Sequence, residues 1–73
     1  MTKPQRVSDN IRAEMARRRL SQIELGRILG RSQAAISRRL AGETEFTVKE
    51  LRAAAAWLGV SPASLLGDLT DAA

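Results

Sequence analysis

The stretch from Ser21 to Gly42 limits the fold more than any other part of the chain, because it leaves room for two helices and almost nothing between them. Ser21-Gln22-Ile23-Glu24 has the form of a capping box, in which the Ser21 hydroxyl takes the Glu24 amide and the Glu24 carboxylate reaches back. The helix that follows offers Leu25, Ile28 and Leu29 to a core and stops at Gly30, the residue type best able to adopt the left-handed conformation at a helix end. It is about two turns long. After Arg31, Ser32 is placed to cap a second short helix, Gln33 to Leu40, with Ile36 and Leu40 inward at i, i+4; Gly42 ends it. Two helices joined so tightly cross steeply instead of lying antiparallel. Gly26 sits in the first of them, where the second must pass. Glycine there costs about 1 kcal/mol of helix propensity, so Gly26 is either an incidental weak spot or a point of close approach, and we expect close approach.

The flanking sequence supplies three more helices. Residues 1–6 (MTKPQR) are polar and contain Pro4, which suits a flexible arm. Val7, Ile11, Met15 and Ala16 recur at helical spacing with charged residues between them, predicting an amphipathic helix that ends near Arg19, with Leu20 closing it against the core. Past the polar loop Glu43 to Glu45, Thr47 and Glu50 form a second capping box, and Phe46 with Leu51 fits a hydrophobic staple. That helix runs to Leu58 with Val48, Leu51, Ala55 and Leu58 as its buried line, and Gly59 stops it. Ser61-Pro62 then opens a last short helix through Leu65 and Leu66, ended by Gly67, with 68–73 as a frayed tail. No period-two pattern, repeat or low-complexity linker occurs. The expected fold is all-α, a compact bundle of five short helices in one domain spanning 7–67.

Composition narrows the chemistry. The 73 residues include no cysteine and no histidine, which excludes disulfides, thiolate metal sites and Ser-His or Cys-His nucleophile pairs. Asp68 and Asp71 resemble an acid pair only superficially, since they fall in the tail with no pocket around them. The chain is therefore read as a non-enzyme with no cofactor, no metal and no small-molecule substrate. It has no apolar run of bilayer length, and its start lacks the apolar stretch of a signal peptide, so a soluble cytoplasmic protein is expected. The net charge is +4, but residues 1–40 carry ten Lys/Arg against three Asp/Glu, whereas 41–73 carry two against five. A basic half attracts polyanions by counterion release, which makes nucleic acid the first partner to consider and an anionic membrane surface the second. A solvated arginine face is the plainer alternative.

Two short helices crossing at a tight turn form a helix-turn-helix, and here the residues resemble a known family, the DNA-binding domain shared by lambdoid phage repressors, Cro proteins and their XRE-like bacterial relatives. The resemblance spans Val7 to Leu66. Its centre is LSQIELGRILGRSQAAISRRLAG, in which Gln22, Leu25, Gly26, Leu29, Gly30, Ser32, Gln33, Ile36, Ser37, Arg38 and Gly42 match the family pattern, and LGVSPASLL resembles its last turn and fifth helix. ISRRLAGETEFTVKEL is most similar to immunity repressors and Cro-type proteins of actinobacterial phages and prophages. The chain also departs from the pattern. The family has an apolar residue at Arg39 and an acidic one at Leu40; here the two characters are swapped, which suggests that Leu40 takes the buried contact and frees Arg39 for phosphate. The family also has a polar residue at Ala41 and basic residues in the next loop, where this chain has Glu43 and Glu45.

The resemblance implies a transcriptional regulator that inserts the helix Ser32–Leu40 into the major groove of an operator. Chemistry assigns the roles. Gln33 can pair two-fold with adenine, Arg38 can fork onto guanine, Ala34 or Ala35 can meet a thymine methyl, and Ser37 can bond a base or phosphate. Gln22 resembles the family's phosphate contact at a helix N-terminus that also favours an anion, and Arg31, Ser32 and Arg39 are expected on phosphates beside it. Arg18, with Arg17 and Arg19, either joins them or forms a solvated helix face. Trp57 either covers the core or, with Leu65, Leu66 and Leu69, forms a homodimer face. Two copies on operator half-sites would supply the surface that one small module lacks. An antitoxin or adaptor that binds protein on the same fold is the alternative. Met1 and the tail DLTDAA suit a complete small protein, with the DNA-binding part of a longer regulator as the variant.

Overall fold

The computed structural model describes residues 7–66, which form five helices in the order α1 (Val7–Arg18), α2 (Gln22–Leu29), α3 (Gln33–Leu40), α4 (Val48–Leu58) and α5 (Pro62–Leu66). The N-terminal arm 1–6, Gly67, Leu69 and the tail 68–73 lie outside the described residues. Among the described residues there is no strand, and no helix is long and apolar enough to cross a membrane.

Local capping sets the helix boundaries. Ser21 and Thr47 each complete a capping box, with Glu24 and Glu50 respectively, and the Ser32 hydroxyl accepts the Ala35 amide at 3.2 Å. Gly42, at φ 83°, closes α3 in a Schellman motif: its own amide reaches the Arg39 carbonyl at 3.1 Å and the Glu43 amide reaches the Arg38 carbonyl at 2.9 Å. Helix α1 ends in the same pattern without a glycine, as Arg19 takes the left-handed position at φ 55° and the Leu20 amide bonds to the Met15 carbonyl at 3.0 Å.

One core joins every helix. Ile11 and Met15 of α1, Leu25 of α2, Ile36 and Leu40 of α3, Ala54, Ala55 and Leu58 of α4 and Leu65 of α5 are buried together, with Phe46, Leu51 and Trp57 packed half-buried against them. Phe46 and Leu51, the two residues of the expected staple, both pack against this core. Where α2 and α3 cross, a Cβ on Gly26 would lie 3.0 Å from the Arg31 carbonyl oxygen and 3.6 Å from the Ile36 side chain, so close approach is the reason for that glycine. The Asn10 amide crosses from α1 to the Leu65 carbonyl at 2.7 Å, a buried link that fastens α5.

Three apolar residues are not where the pattern put them. Ala16, Ile28 and Val48 are exposed, the last two at 45% and 68%. In α2 the buried stripe centres on Leu25, Gly26 and Leu29, and at about 100° per residue Ile28 falls on its flank. Ala16 turns away from the Ile11–Met15 line for the same reason, and Val48 sits in the first turn of α4, ahead of the point where that helix meets the core.

Candidate nucleic-acid interface

Helix α3 has three distinct sides. Ile36 and Leu40 face the core; Gln33, Ala34, Ser37 and Arg38 are exposed; Ala35 and Arg39 lie half-buried on the flank. At about 100° per residue Arg38 projects nearly opposite the Ile36–Leu40 line, and it has no ion-pair partner among the described residues. Gln33 and Ser37 lie toward α2. The Ser37 hydroxyl donates to Gln22 Oε1 at 3.2 Å, which ties the start of α2 to the middle of α3 and leaves the Gln22 amide nitrogen free to donate elsewhere. An open groove between the two helices is lined by Gln22, Gly26, Arg27, Arg31 and Gln33, among others.

The arginines divide into different groups. Arg17 and Arg18 share the Glu14 carboxylate on their own helix, and Arg12 pairs with Asp9. The Arg18 guanidinium, with Arg17 beside it, outweighs burial and holds the Glu14 carboxyl below its ordinary range. Arg18 is therefore a compensated charge on a solvated helix, and its expected phosphate role has to compete with Glu14. Arg31 donates through Nε to Glu50 Oε2 at 2.7 Å, with its side chain 47% exposed.

Arg39 is not freed for phosphate. Its Nε donates to Glu50 Oε1 at 3.0 Å, its Nη1 donates to the Ala35 carbonyl at 3.2 Å, and its side chain is only 11% exposed. The swap with Leu40 does place Leu40 in the core, but the arginine turns along the α3 flank toward α4, where a buried carboxylate holds it. Glu50, foreseen only as a cap, is the centre of this cluster. Burial pushes its carboxyl up, but the Thr47 amide at 3.0 Å and the Arg31 and Arg39 guanidiniums outweigh that effect and hold it at about 2. The sequence signal for this role was weak, because the partners stand 19 and 11 residues away.

The dimer face also needs correction. Leu65 is wholly buried in the core and cannot contribute to a surface, whereas Trp57 and Leu66 are half-buried.

Two capped helices crossing on a glycine, with a polar, arginine-bearing face on the second, define a helix-turn-helix domain. The chain belongs to the helix-turn-helix family, whose pattern matches residues 11–65. Its structure is similar to the solution structure of the DNA-binding domain of the P22 C2 repressor, with a TM-score of 0.82 and 36% identity over 93% of this chain and 91% of that one. No curated protein is similar enough in sequence to count as a relative.

Proposed function

We propose that this chain is a repressor-type transcriptional regulator that reads operator DNA in the major groove with α3. Gln33, Ala34, Ser37 and Arg38 face base edges, while Gln22, Arg31 and Ser32 hold phosphates. The family and the fold are those of DNA-binding regulators of transcription, and the domain of the P22 C2 repressor that this chain resembles is a DNA-binding one. The observation that carries the finer reading is the exposed face of α3, where Arg38 stands unpaired among the described residues while Arg31 and Arg39 are tied to Glu50.

A single domain of this size covers little DNA, so two copies on half-sites about one helical turn apart are the expected working form in the cytoplasm. With Leu65 in the core, Trp57 and Leu66 are the described members of the self-association face, and Leu69 lies outside the described residues. A selection from random duplexes, read by sequencing, tests the whole reading. A two-fold symmetric motif is expected, and Arg38→Ala should cost about 1–3 kcal/mol on that motif while flattening preference at one base pair. Equal losses on selected and random duplex would remove Arg38 from base contact.

A further inference from the structure

Glu50 is 5% exposed, yet it is shared by three structural elements: it caps α4 through the Thr47 amide, holds Arg39 on the flank of α3, and holds Arg31 in the turn just before the α3 N-cap. The contact with Arg31 is made through Nε. The two terminal nitrogens of that guanidinium are left without a hydrogen-bond partner among the described residues, on a side chain that is half exposed. A guanidinium can be gripped at one edge and still present a fork of donors at the other, which an ammonium cannot do. The groove beside it carries Gln22 and Gln33, so the free edge of Arg31 borders the face assigned to DNA.

We propose that Glu50 is a positioning residue for DNA binding that acts through Arg31, its carboxylate holding the Arg31 guanidinium so that the outer edge of that group meets a backbone phosphate. This inference rests on the DNA-facing assignment above. It conflicts with what charge alone predicts. Glu50 is an anion near a face that binds a polyanion, and if it acted only through its charge, neutralising it would strengthen DNA binding.

The test uses a mixed-sequence 20-base-pair duplex at low salt, since a phosphate contact is independent of sequence, at a temperature where circular dichroism shows each variant folded. Glu50→Gln keeps a capping oxygen but cannot hold two guanidiniums. It is expected to weaken duplex binding about threefold to tenfold and to lower the slope of log affinity against log salt by about one, as loss of a phosphate contact does. Combined with Arg31→Ala, it should add no further loss beyond Arg31→Ala alone. Arg31→Lys serves if Glu50→Gln does not fold, because Arg31 is half exposed and the substitution keeps the charge. It should lose about as much affinity as Arg31→Ala. Wild-type or tighter binding by folded Glu50→Gln, additive losses in the double variant, or wild-type binding by Arg31→Lys each overturn the proposal and leave the DNA-binding reading intact. Failure of the unaltered protein to bind the duplex at low salt would overturn both.

Discussion

Arginines cluster in two regions that look alike as sequence, Arg17-Arg18-Arg19 at the end of α1 and Arg31 with Arg38-Arg39 around α3, but the structure treats them differently. In α1 the charges are settled locally: Arg17 and Arg18 find Glu14 three and four residues back, on a helix face open to water. Around α3 the settlement is long-range, because Arg31 and Arg39 converge on one buried carboxylate from another helix, and Arg38 is left over. Pairs of the first kind contribute little and are screened by salt, whereas a buried, multiply bonded carboxylate becomes part of the architecture. Charge density alone therefore does not locate a DNA-binding face. What points to it is a guanidinium left unpaired on the exposed side of the second helix, beside one whose outer edge stays free.

The sharpest way to break this contrast is to remove the two carboxylates in turn. Glu50→Ala deletes a helix cap and leaves the Arg39 guanidinium, 11% exposed, without its counter-ion, so it should cost about 3–5 kcal/mol in urea denaturation. Glu14→Ala should shift the urea midpoint far less. Comparable losses would mean that the α1 cluster is as structural as the α4 one.

Acid titration asks the same question without mutation. Glu50 titrates at about 2 in the folded chain against an ordinary value of 4.5. Its contribution is therefore fully present above about pH 4.5 and is lost as the pH falls toward 2. By linkage it amounts to about 3 kcal/mol. Stability of the wild type should fall steeply between pH 4.5 and 2, and Glu50→Gln should flatten that fall. Glu14, also shifted downward, adds a fall of the same sign that survives in Glu50→Gln. A titration unchanged by Glu50→Gln would mean that other carboxylates carry the acid sensitivity.

The parts of the molecule that were legible in its sequence are those decided by neighbours a few residues apart. Both capping boxes, the Ser32 cap and the glycine at the helix crossing lie where local chemistry put them, and with them the bounds of α2, α3 and α4. Side-chain destinations in short helices were less legible. Two turns give too few positions to fix a stripe, so helical spacing points Ile28 inward although it is exposed. Helix α5 is shorter still, and nothing in its five residues signals that Leu65 enters the core under the Asn10 bond while Leu66 stays half-exposed. The Arg39–Leu40 swap was half legible. Leu40 followed from helical spacing, whereas the fate of Arg39 depended on Glu50, which only the packing of α4 brings within reach.

Arg19 offers the smallest and most selective test, because it belongs to the first arginine cluster by sequence but has no ion-pair partner among the described residues. Its backbone is left-handed at φ 55°, where a side chain is strained and glycine is not. Arg19→Gly therefore removes one positive charge and one strained residue while leaving the Glu14 pairs in place. It should raise stability by about 1 kcal/mol, measured by the urea midpoint, with the gain reduced by the extra freedom glycine gives the unfolded chain. If the α1 cluster is the solvated face that its local pairing indicates, duplex affinity at moderate salt should stay within about twofold of wild type, since exposed charges beyond a Debye length from the phosphates are largely screened. A salt slope lowered by about one would instead place Arg19 on a phosphate, and the DNA-binding face would then extend across the end of α1.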